Sequence, residues 1–225
     1  MVLEAQAALP SIWLATPCNL DYFQPSKIQV KTMARNAVLE YWHDRFLAKA
    51  DSLESLSHLR TRFLSLTSCH PIFLSCGSSP WETEKATTQA RLLSCRYRLE
   101  VLTSHWTPWN RDGLCSLPEC WGTDASHKGS VEAFLLGCPS LSVVRTELTE
   151  SVLKFYRDYP DLENLVKECM SLSAVQFFLD CSTMAPVISA VQEYGDSVLL
   201  HLFKLTRNYC HRLHVTRSKL LPNYN

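Results

Sequence analysis

Residues 142–160 read SVVRTELTESVLKFYRDYP, and the spacing within this stretch decides the fold class. Val144, Leu148, Val152, Phe155 and Tyr159 recur at three and four residues, while Glu147, Glu150, Lys154 and Arg157 hold the other side. That period lines apolar side chains along one face of an α-helix, and Pro160, which has no backbone N–H to donate, closes it. Toward the C-terminus, 161–171 and 174–181 read as two short helices. Residues from 185 to about 220 read as one long helix carrying Ile188, Val191, Val198, Leu202, Leu205 and Tyr209.

The N-terminal half follows the same pattern. Residues 27–50 set Leu39, Trp42 and Phe46 against Glu40, Asp44, Arg45 and Lys49, which predicts a helix docked by its aromatic edge. Residues 52–66 keep helical spacing through Leu53, Leu56, Leu59 and Leu64, until the turn chemistry of Cys69-His70-Pro71 and of 76–80 interrupts it. Residues 81–106 predict a further helix, with Leu92, Cys95, Leu99, Leu102 and Trp106 near one stripe. Arg91, Arg96 and Arg98 are distributed around it, where they could meet phosphate, although the favoured expectation is that their stems cover apolar neighbours. Only six glycines occur in 225 residues, which favours helices over a turn-rich sandwich.

Lysine and arginine balance aspartate and glutamate at 22 each, so the chain as a whole has no field that gathers phosphate or anionic lipid. Basic charge concentrates only at the end. After Asp196 no acidic residue occurs, while Lys204, Arg207, Arg212, Arg217 and Lys219 do. Neither a signal peptide nor an unbroken apolar run of about 20 residues is evident, so a soluble, intracellular protein, nuclear or cytoplasmic, without membrane contact is expected. In that setting the ten cysteines read as thiols or metal ligands rather than as a disulfide framework.

Four donors stand in one glycine-punctuated segment: Cys115, Cys120, His127 and Cys138, in the order C-x4-C-x6-H-x10-C. Thiolate and imidazole are the donors that tetrahedral zinc accepts, and a closed four-ligand shell is structural rather than catalytic. The opposing reading makes Cys115 and Cys120 loop thiols, Cys138 a buried neighbour of Phe134 and Leu135, and His127 a solvated side chain. Trp106, Trp109, Trp121, Arg111 and Lys128 flank the segment, a combination suited to stacking on unpaired bases and meeting phosphates, or to packing as a small core.

The stretches 89–97 (QARLLSCRY), His105-Trp106, 115–120, 131–139 (VEAFLLGCP) and 205–214 (LTRNYCHRLH) resemble the region downstream of the reverse transcriptase domain in animal non-LTR, LINE-like retrotransposon polyproteins. There a "KA-ARLLSGRYR"-like helix leads into a Cys/Cys/His/Cys zinc knuckle, and a "VEHFLLxCP"-like segment supplies its last two ligands. Two departures stand out. Glu132-Ala133 replaces the family's "EH", so the usual ligand histidine is missing and His127 is the candidate substitute. Cys95 stands where the family pattern has glycine, a change expected to suit a helix interior.

The resulting expectation is a mainly α, irregular helical domain with an inserted Cys/His zinc-knuckle-like loop. It divides into an N-terminal helical segment (1–80), a helix plus loop (81–139) and a C-terminal helical segment with a basic tail (140–225). The resemblance implies a non-catalytic, zinc-dependent nucleic-acid-binding fragment that takes RNA or single-stranded DNA. Arg111, Lys128, Trp106, Trp109, Arg207, Arg212 and Arg217 are its expected contacts, and no small-molecule substrate is evident. The family's polymerase and endonuclease lie in other parts of the polyprotein, and no paired-aspartate, Gly-x-Ser-x-Gly or His-Glu-x-x-His signature occurs here. The rival expectations are a metal-free helical interaction protein and a non-functional remnant of a mobile element.

Overall fold

A computed structural model describes residues 26–50, 58, 69–104, 112–120 and 128–221. Apart from residue 58, the expected helix at 52–66 lies outside the described residues, as do the three tryptophans at 106, 109 and 121, Arg111 and His127. The six longer helices are α1 (Lys27–Ala50), α2 (Pro80–Leu93), α3 (Ser142–Asp158), α4 (Glu163–Asp180), α5 (Ala185–Tyr194) and α6 (Ser197–Leu220). Among the described residues no strand forms, and Leu114 and Lys128 pair only as an isolated antiparallel bridge. The mainly α class expected from the periodicity is the class observed.

Helix α6 is the hub, packing against α2, α3, α4 and α5. Its buried residues, including Val198, Leu202, Phe203, Thr206, Tyr209, Cys210 and Leu213, spread over more than one stripe, as a helix enclosed by neighbours requires. Helix α3 turns Leu148, Val152 and Phe155 inward, the stripe read from its spacing. Tyr209 stacks on Phe178 of α4 with ring centroids 3.8 Å apart, and its hydroxyl donates to Leu135 O at 2.8 Å. Gln89 of α2 is buried. Its amide donates to Phe178 O at 2.7 Å and to Thr206 Oγ1 at 3.0 Å, so three helices share one polar anchor.

Several boundaries differ from the spacing. The predicted 81–106 helix stops at Leu93. Arg96 N donates to Arg91 O at 2.8 Å and Cys95 N to Leu92 O at 3.2 Å, the paired bonds of a Schellman turn, with Cys95 at φ +50°. The position where the resembled family has glycine is therefore a left-handed helix stop, not a helix interior. Similarly, the predicted 185–220 helix is broken by Gly195 at φ +80° into α5 and α6, because the apolar period runs on across a residue that turns the backbone. The predicted division between 171 and 174 is present inside α4, where Ser173 is extended and its Oγ accepts from Gln176 N at 3.2 Å as a second helix start.

Helix α1 spans the predicted residues, yet no described side chain on it is buried and Trp42 remains 48% exposed, so the expected aromatic docking is not seen among them. No unbroken apolar run of about 20 residues occurs in 160–194, which charged residues interrupt, yet by length and mean hydropathy this segment is apolar enough to cross a bilayer. Half of its most apolar window is buried among the other helices. Such apolarity is also what a central layer of a helical core requires.

Candidate metal centre

In the described parts of the segment between α2 and α3, close backbone approaches bring the chain together. Gly113 has φ +66°, and a Cβ there would lie 2.8 Å from Val101 Cα, so the chain passes too close for a side chain. Gly129 N donates to Gly113 O at 2.8 Å beside the Leu114–Lys128 bridge, which brings the two limbs of the loop together. Glu100 braces both limbs. Its carboxylate accepts from Ser116 N at 3.2 Å and from Arg217 of α6 at 2.8 Å, and a Cβ on Gly129 would collide with it.

Each cysteine arrives on a separate turn. Cys115 follows the bridge, and Cys120 ends the 3-10 turn Pro118–Cys120, its N–H donating to Leu117 O at 3.0 Å. Cys138 follows the π turn Ala133–Gly137, where its N–H reaches back five residues to Ala133 O at 2.6 Å. All three are buried, and their sulfurs lie within 4.8 Å of one another. The Sγ–Sγ distances are 3.4 Å for Cys120–Cys138 and 4.0 Å for Cys115–Cys138.

A disulfide requires sulfurs about 2.05 Å apart, so at 3.4 and 4.0 Å these cysteines are not disulfide-bonded to one another. Tetrahedral zinc with Zn–S near 2.3 Å places its sulfurs about 3.8 Å apart, between the two observed distances. The three cysteines can therefore hold a metal ion. The hydrogen bond shared with Cys138, together with burial, pushes the Cys115 thiol up, while that same bond pulls Cys138 down against its own burial. A gap of about 10 Å³ touches Cys115, Cys138 and Ala133, a volume of about one water-sized sphere. Ala133, which stands where the resembled sequences carry a histidine, lines the same gap as Cys115 and Cys138, and its methyl group cannot ligate.

The other predicted contacts scatter. Lys128 is exposed at the bridge. Arg212 is partly exposed and pairs with Glu147 at 2.5 Å, and Arg217 is largely covered and held by Glu100. Arg207 is only 2% exposed. Its Nη1 donates to Ile72 O at 3.1 Å and its Nη2 to Glu82 Oε2 at 3.1 Å, with Ser75 completing the shell. This removes Arg207 from any phosphate-facing surface of the fold and corrects the expectation that it contacts nucleic acid. The bracing role of Glu100 left no signal in the sequence, since only the fold brings it to Ser116 and Arg217. No family model, curated protein or solved structure matches the chain.

Proposed function

We propose that this chain is a non-catalytic nucleic-acid-binding module, of non-LTR retrotransposon ancestry, whose 112–138 loop is folded around one structural zinc ion. The observation that carries the reading is the convergence of three buried cysteine sulfurs at distances bracketing those of a zinc thiolate site. Thiolates favour zinc over hard cations, and a shell closed by a fourth ligand leaves no open position for chemistry.

His127 is the proposed fourth ligand. It is bonded in the chain to Lys128, which pairs with Leu114, the residue before Cys115. Trp106, Trp109, Arg111 and Lys128 flank the loop in sequence and supply the aromatic and basic groups that unpaired bases and phosphates of RNA or single-stranded DNA take.

Metal analysis of the purified chain tests this, with and without a chelator. One zinc per chain is expected, with a lower thermal midpoint on chelation and in Cys115→Ser or Cys120→Ser. A metal-free chain indifferent to both substitutions would refute the zinc site. That result would favour the second reading, a helical interaction protein, for which α1 offers Ile28, Met33, Val38 and Trp42 exposed along one helix.

A further inference from the structure

The turn at Cys95 does more than stop a helix. Because Arg96 N and Tyr97 N both donate to Arg91 O, the chain folds back on the end of α2. Arg91, Arg96 and Arg98 consequently line one cleft of about 370 Å³, whose other wall includes Arg217, His214 and Ser218 of α6. Tyr97 anchors the turn from inside, its hydroxyl 2.8 Å from His214 Nδ1 and its ring against Phe134.

Among the described residues, no acidic side chain lines the cleft. Glu100 neutralises Arg217, but Arg91, Arg96 and Arg98 are exposed and make no ion pair among the described residues. The expectation that they merely cover apolar neighbours does not account for three exposed arginines lining one cleft. The carbonyl end of α2 accounts for Arg91 alone, since Arg96 and Arg98 follow the turn. Like charges brought together repel, and a bound anion relieves that repulsion. A planar guanidinium fork matches phosphate oxygens in pairs.

We propose that this cleft binds a phosphate group. Resting on the nucleic-acid reading above, we assign the phosphate to the backbone of a single strand; a free phosphate compound is the other source of the same chemistry. The chain's net charge of zero makes such a local site the place where a polyanion is held.

The test uses the full chain, a fluorescein-labelled oligouridylate read by anisotropy, and inorganic pyrophosphate read by calorimetry. The variants are R91A/R96A/R98A together, the single R98E should the triple variant not fold, and R35E as a charge-matched control on exposed α1. Cleft variants are expected to lose roughly tenfold or more in oligonucleotide affinity, with zinc content and thermal midpoint unchanged. The salt slope of the triple variant should fall by about 2, since each lost single-strand phosphate contact removes about 0.7. R35E should bind as the wild type.

Pyrophosphate binding without oligonucleotide binding, lost in the same variants, would support the cleft and refute the nucleic-acid reading. Oligonucleotide binding by wild type and cleft variants alike would overturn the cleft and leave that reading standing. A wild type that binds neither probe would overturn both.

Discussion

Replacing Cys95 with glycine stabilises this fold. An L-residue in the left-handed region costs roughly 1–2 kcal/mol because its Cβ crowds the following carbonyl, and Cys95 sits there at φ +50° with both bonds of the helix stop formed. Glycine removes that strain but loosens the unfolded chain, at a cost of roughly 0.4–1 kcal/mol. The net gain is about 0.5–1 kcal/mol, which in a protein of this size raises the thermal midpoint by roughly 1–4 °C. Urea denaturation followed by circular dichroism should give a higher midpoint at unchanged slope. Cys95→Ala, which keeps the Cβ, should gain nothing, and the β-branched Cys95→Val should lose stability. A glycine variant no more stable than the alanine variant would show that the turn is not held in this conformation.

Arg207→Met keeps most of the stem but deletes the guanidinium that joins 72–75 and Glu82 to α6. Because Glu82 is partly exposed and retains Lys85, the loss should fall near the low end for a broken buried pair, about 3 kcal/mol by urea denaturation. His211 is 3% exposed with neither ring nitrogen bonded, and burial lowers its pKa despite nearby Glu82 and Glu84, with Lys85 adding to the lowering. The unfolded chain therefore takes up this proton first. Stability is fully present above the unfolded value near 6.5 and is lost as pH falls through it toward the lower folded value. Stability measured from pH 8 to 5 should show a shallower loss in His211→Phe, with His214, shifted the same way by its own burial, leaving a residual slope. At the metal centre, Ala133→His should rescue zinc affinity in His127→Ala, because residue 133 lines the gap that also touches Cys115 and Cys138. Competition with a chromophoric chelator reads this directly, and a failure to rescue would place the fourth ligand elsewhere.

What this sequence determined alone is what neighbours along the chain can encode. The three-and-four spacing at 144–159, Pro160 and the division between 171 and 174 each act within a turn or two of backbone, and each is present in the fold. The grouping of Cys115, Cys120 and Cys138 was likewise legible, because a glycine-punctuated segment of limited length keeps its donors close whatever the detail of its turns.

Other features needed the tertiary structure. Cys95 carries an apolar side chain on an apolar stripe, so spacing reads through it, and only the reversal of the chain reveals the left-handed stop and the arginine cleft it creates. Gly195 hid in the same way within a period that α5 and α6 share. Arg207 is the sharpest case. In sequence it belongs to a basic tail, and in the fold it is enclosed, because its partners Ile72 and Ser75 lie more than 130 positions away. Burial of a charge depends on acceptors delivered by distant segments, and no local pattern records where those segments will pack.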